Sequence, residues 1–369
     1  MKAEISKRNS RIELVRIICM VLIILRHYST QAMWGVNSGN YGRNIMFLQL
    51  IQIFGSSANN VFLLISGYFM ISSGVNYKRI VNLIAEQCLY AWSIAAVVYG
   101  FRILPLSVKE VVRAAFPFWF GYNWYVCCYV IFSCFIPFLN AYLRSISRET
   151  YRRLLLVSLF LWSFAYTFKA TNYMGTDFSI DHFFVVYMIG AYIRLYGIHV
   201  EKIRNWGKVS ACLLFLTVAS VILLGVGGYL LQVDRLVTNA TFFATATNIL
   251  NVCMTTSFFL AVLSAPPYFN RTINRIAKSV IGIFLLHFNP PMGSILWDKI
   301  SPNVNFLYSP FLPVHALLKV SIVFLCCLLI DQIRIRWVEK PFMACLDRNW
   351  DALTQSVHSI WARVSKAIQ

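Results

Sequence analysis

Apolar residues run in blocks of about 20 along most of the chain, separated by short polar stretches rich in Lys and Arg. A helix of that length crosses a hydrocarbon core about 30 Å thick. The blocks predict helices at 12–34, 45–71, 80–103, 122–142, 154–169, 180–196, 209–232, 240–264, 278–297 and 313–333, the fifth and sixth being short. The fold class that follows is all-α, a polytopic membrane helix bundle of about ten transmembrane helices. Beyond residue 342, Trp350, Leu353, Val357, Trp361 and Val364 recur at helical spacing and predict an amphipathic helix at the membrane surface. The chain divides into a membrane domain, 1–342, and a cytoplasmic tail, 343–369. No Pro- or Ser-rich linker and no internal repeat interrupts it.

Composition sharpens this picture. Of 369 residues, 59% are hydrophobic and 13% charged, too few charges for a water-facing surface of this size. The net charge of +19 would suggest nucleic acid in a soluble protein. In a membrane protein the sidedness of the basic residues is the better guide, and no nucleic-acid partner is needed. With the N-terminus inside, the outer loops hold Arg43, Arg102, Lys109, Arg113, Lys169, Arg235 and Lys299, and three cations lie within helices: Arg16, Arg26 and Lys319. All the others fall in inner segments, each of which is basic, so both termini are expected in the cytoplasm. Lys2, Lys7, Arg8 and Arg11 ahead of an apolar stretch resemble a signal peptide. That stretch is about one crossing long and carries Arg16, Arg26 and His27, so it reads as a retained first helix. The ten cysteines lie mostly in apolar runs without zinc-ligand spacing and read as packing residues, with no metal site.

Ionisable groups inside apolar helices are costly, so they mark where function is sought. Arg16 and His27 are eleven residues apart, which places them on one helix face, separated by about 16 Å along the axis. Glu13, one turn before Arg16, is positioned to pair with it. An Arg at the cytoplasmic mouth suits a phosphate-bearing ligand, and a neutral imidazole at mid-membrane suits proton transfer. The plainer alternative is that Arg16 snorkels to the headgroups and His27 bonds a neighbouring helix. Arg26 points about 100° away from His27; it either lines the same cavity or reaches the outer interface, and a structural role is the simpler reading. His287 also falls near mid-membrane, and the following Asn289-Pro290-Pro291 should break its helix, as happens where a helix lines a cavity. A packing histidine is the competing reading there. His182 beside Asp181 is a weaker candidate, and His199, His315 and His358 are background. Ser66-Gly67-Tyr68 reads as a small-residue packing notch, and Glu339 as the partner of Arg334 or Arg336 in an exposed salt bridge.

Several of these segments together resemble the acyltransferase-3 family of membrane acyltransferases. Glu13, Arg16 and His27 match the opening pattern of an acid, an Arg three residues on, and a His after ten more. Asn60 to Tyr68 is similar to the family's Phe-rich Ser-Gly-Tyr segment, Asn123-Trp124-Tyr125 to its Trp-Phe helix start, and Leu286-His287 to its Tyr-Leu-x-His segment. Glu339-Lys340-Pro341-Phe342 matches its terminal signature. The family often carries an Arg-x-x-Arg pair before its third helix; here Arg79 and Asn82 hold that spacing, with Lys78 beside them. The resemblance implies transfer of an acyl group, usually acetyl, from acetyl-CoA to a sugar hydroxyl of a cell-envelope glycan. It implies His27 and Arg16 as the family's essential pair, with His287 a second catalytic candidate. Glu13, Lys78, Arg79, Ser66, Trp124 and Glu339 are the candidate substrate-binding residues. The expected setting is a bacterial plasma membrane, with membrane lipid and a glycan or lipid-linked sugar as partners; a homo-oligomer is compatible with the chain. The rival reading is a transporter or flippase of lipid-linked glycan without acyl transfer, against which the lack of repeated halves counts.

Overall fold

The protein is described by a computed structural model covering residues 8–105, 107–168, 179–198, 203 and 205–368. Lys2, Lys7, Lys169, Lys202, Arg204 and His199 lie outside the described residues, as do the side chains of Val357, His358, Trp361 and Val364.

Each predicted apolar block contains helix, and no strand occurs among the described residues. In chain order the main helices are α1 (Ser10–Thr30), α2 (Arg43–Ser73), α3 (Tyr77–Gly100), the short α4 (Val108–Ala115) and α5 (Trp124–Ser145). Then come α6 (Arg148–Leu159), extended by a π turn to Thr167, and α7 (Ile180–Tyr196), α8 (Trp206–Leu230) and α9 (Ile249–Ser264). The last are α10 (Val280–His287), α11 (Pro290–Ser294), α12 (Leu312–Arg334) and α13 (Lys340–Ile368). Asparagine is the recurrent starting signal. The side chains of Asn9, Asn76, Asn123, Asn205 and Asn248 each accept a backbone N–H from the first turn that follows.

Among the described residues six stretches are long and apolar enough to cross a membrane: α2, α3, α5, α8, Asp234–Ser264, which ends in α9, and Leu312–Ser356, which begins with α12. A seventh crossing is made if the pair Arg271–His287 and Pro290–Phe306, bent by 79°, counts as one. The other three predicted spans are helical but differ in kind. Arg11, Glu13, Arg16 and Arg26 make α1 too charged, α7 is only 17 residues long, and α6 opens on charged residues. The predicted span 240–264 falls within the candidate crossing Asp234–Ser264, whose helix is interrupted by the polar run ending at Asn248 before α9 begins. At the other end the chain stays helical past residue 342, through a π turn at Ile335–Glu339 and into α13.

The core forms where α1 lies along α2, α2 along α7, and α8 along α9, while α10 and α12 close on α1 from another side. Contact between α2 and α7 is backbone on backbone. A Cβ on Gly67 would overlap the Tyr187 carbonyl, and one on Gly190 would overlap the Leu64 carbonyl. The Ser66-Gly67-Tyr68 notch therefore does what small residues do between membrane helices. The outward faces are apolar: Phe215, Leu223 and Leu230 on α8 and Leu317, Leu329 and Ile333 on α12 are exposed, as a lipid-facing surface requires.

Candidate active site

Two helix ends meet at the centre of the molecule. The C-terminal part of α1 is pinned on several sides. Asn303 donates to the Tyr28 carbonyl at 3.0 Å, the Tyr28 hydroxyl meets His315 Nδ1 at 2.8 Å, and Ser29 donates to the Leu48 carbonyl at 2.8 Å. Against it lies the end of α10. Pro290 has no N–H with which to continue that helix, so the chain stops at His287 and turns sharply. The Tyr122 hydroxyl donates to Asn289 Oδ1 at 3.2 Å and holds the turn.

This arrangement brings His27 and His287 together, with His27 Nδ1 3.0 Å from His287 Nε2. The proton positions follow from the outer partner. His287 Nδ1 is 2.6 Å from the Ile283 carbonyl, which can only accept, so Nδ1 carries the proton. His287 Nε2 then has the lone pair and accepts from His27 Nδ1–H. The lone pair of His27 is left on Nε2, for which no partner occurs among the described residues. Both rings are buried, and His27 stacks on Phe288 with centroids 4.3 Å apart.

His27 lines a cavity of about 410 Å³. Ile23, Trp124, Phe284 and Phe288 supply apolar wall, and Arg26, Thr30, Gln31 and Asn59 supply polar groups. Of the two readings left open for Arg26, the structure takes the first: it lines the cavity beside His27. Gly55 makes this possible, because a Cβ there would overlap Cβ, Cγ and Cδ of Arg26. Trp124, placed at the start of α5 by its Asn123 cap, stands in the same wall.

The other candidates fall into three separate groups. Arg16 pairs with Glu13 at 2.8 Å, and Glu13 also meets Arg8 at 2.5 Å. Ser66 donates to the Phe62 carbonyl at 3.0 Å, and the Tyr129 hydroxyl on α5 reaches Met70 Sδ at 3.4 Å; Arg79 lies in the first turn of α3. Lys78 is engaged by α13, with Asp347 2.5 Å away and the Trp350 ring 5.5 Å away. Glu339 meets Arg334 at 2.8 Å, the pairing expected of it, but in a setting the sequence does not announce. Arg334 is only 6% exposed and also binds Glu86 at 3.0 Å and Asp331 at 2.7 Å, with Tyr90 donating to Asp331 at 2.7 Å. Asp331 presses on Gly282 of α10, where a Cβ would overlap its carboxylate.

This buried cluster of α3 and α12 is what the sequence reading missed. Its signal was present, since Glu86 and Asp331 are acids inside apolar blocks and the cost of burying charge applies to them as to Arg16. His182 is buried, its Nε2 2.7 Å from Asn60 Oδ1. All ten cysteines are free thiols.

The sequence profile of a family described as Acyltransferase domain, of the acyltransferase-3 type, matches residues 9–331. No curated protein and no solved structure matches the chain.

Proposed function

The chain belongs to the acyltransferase-3 family, and from that premise we propose that it moves an acetyl group from acetyl-CoA to a sugar hydroxyl of a cell-envelope glycan at a bacterial plasma membrane. The observation that carries this reading is the imidazole pair, His27 Nδ1 to His287 Nε2 at 3.0 Å, beside a cavity. His27 Nε2 carries the lone pair of a buried ring that lines a cavity, the arrangement wanted in a general base. It accepts the proton of the acceptor hydroxyl as that oxygen bonds to the thioester carbonyl carbon. The C–S bond then breaks, and the proton passes from His27 to the departing sulfur. His287 accepts from His27 Nδ1–H throughout and steadies the imidazolium, and the Ile283 carbonyl holds His287 in turn. Arg16 and Arg79, toward the N-terminal ends of α1 and α3, are the cations assigned to the donor's phosphates. Trp124 and Phe288 offer ring faces to a sugar.

The test is to follow labelled acetyl-CoA with the purified protein in lipid vesicles and a glycan extract. Release of coenzyme A with label in glycan is the expected outcome. Binding of lipid-linked glycan with no thioester consumed would place the protein among transporters instead. Acetyl found on His27 after acid quenching would replace the general-base step by a two-step relay.

A further inference from the structure

Acyl transfer puts negative charge on the thioester oxygen when the acceptor oxygen bonds to its carbonyl carbon, and removes it when the C–S bond breaks. Inside a membrane that charge needs a donor aimed at it. His27 is occupied with the proton, so the donor must come from elsewhere in the cavity wall. Four other polar residues stand there: Arg26, Thr30, Gln31 and Asn59. The Thr30 hydroxyl donates to the Arg26 carbonyl at 3.1 Å, and Arg26 has a further interaction of its own. Gln31 is exposed and lies four residues past His27, on the side away from Arg16. Asn59 is half-buried, and its side-chain amide meets no hydrogen-bond partner among the described residues. Its place is set by the way α1 and α2 run past each other. Ser29 bonds to Leu48 and Gln52, and the Arg26 stem lies against Gly55. Each step forward on α2 is therefore a step back on α1. Asn59, about one turn beyond Gly55, faces the turn of α1 before His27, where Ile23 lines the same wall. That turn lies toward Arg16, the residue assigned to the donor's phosphates, so the thioester reaches it before it reaches His27. We propose that the side-chain N–H of Asn59 is the oxyanion donor of the transfer, holding the thioester carbonyl oxygen while His27, one turn further along α1, takes the proton. This rests on the acyl-transfer reading. The C=O electron pair moves onto oxygen as the new C–O bond forms and returns as the thiolate leaves; Asn59 neither gives nor gains a proton.

The experiment follows coenzyme A release in vesicles, with a glycan extract as acceptor, by wild type, Asn59→Ala and Asn59→Asp. With acetyl-CoA, Asn59→Ala should lose roughly 100- to 1,000-fold in kcat, with little change in KM for either substrate. Asn59→Asp keeps the shape of the side chain but only accepts hydrogen bonds when ionised, and should lose at least as much. A second donor separates this role from packing: the dithioester of coenzyme A, in which sulfur replaces the carbonyl oxygen and accepts hydrogen bonds weakly. On passing from thioester to dithioester, wild type should slow much more than Asn59→Ala, so that the gap between the two proteins narrows. Equal slowing of both proteins, a loss in Asn59→Ala confined to KM, or wild-type turnover by that variant would overturn the inference. No coenzyme A released by wild type, with glycan bound, would sink the acyl-transfer reading and this inference with it.

Discussion

The chemistry rests on which nitrogen of His27 carries the lone pair, and that is decided two residues away. The Ile283 carbonyl fixes the His287 tautomer, which fixes that of His27. Replacing His287 by Ala should therefore leave His27 in place but free to present the wrong nitrogen. A fall in kcat of about 10- to 100-fold with little change in KM is expected, measured as coenzyme A release. Replacing Gly55 by Ala should force α1 and α2 apart, because the added carbon would overlap Arg26 Cβ, and should lower the melting temperature in detergent; an unchanged melting temperature would count against that close approach. His27 and His287 were legible in the sequence because an ionisable ring in an apolar run is conspicuous. The position of Arg26 was not, because the 100° step between neighbours on a helix says nothing about a notch on the helix opposite.

At the level of elements, two devices position this site. One is the glycine crossing of α2 on α7. Gly67→Leu must force the two backbones apart and should cost roughly 1–3 kcal/mol or more, read as a lower melting temperature in detergent. The other is the ionic cluster that joins α3 to α12 and braces α10 at Gly282. Removing Arg334 leaves Glu86, Asp331 and Glu339 facing one another with no counter-charge. Arg334→Ala should destabilise by roughly 3–5 kcal/mol, whereas Glu339→Gln, at the partly exposed end, should change little. Equal stability of the two variants would show that the cluster does not brace the fold. The break after His287 could be read from Asn289-Pro290-Pro291, since proline forbids the helix bond locally. The pairing of residue 86 with 331 and 334 could not, because no spacing along the chain relates them. Lys78 teaches the same lesson: its neighbours suggested phosphate, and its position under α13 gives it Asp347 and Trp350.

For the whole molecule, the apolar blocks were enough to read an all-helical, multi-pass membrane protein, because length and apolarity alone decide whether a helix spans. Of the ten blocks, three are helices of another kind. The charges of α1 and the brevity of α7 separate these two from the lipid-facing helices, and both are largely buried among their neighbours. The site sits where these inner helices meet, so α1, the helix whose charges weaken it as a simple membrane span, carries both Arg16, assigned to the donor, and His27, assigned to the proton. The most direct test of that account is a double-mutant cycle on coenzyme A release by wild type, His27→Ala, His287→Ala and the pair, in vesicles. If His287 acts through His27, the His27 variant loses roughly 100- to 10,000-fold and adding His287→Ala costs nothing further. Losses that multiply, or a His27→Ala protein that turns over as wild type does, would contradict it.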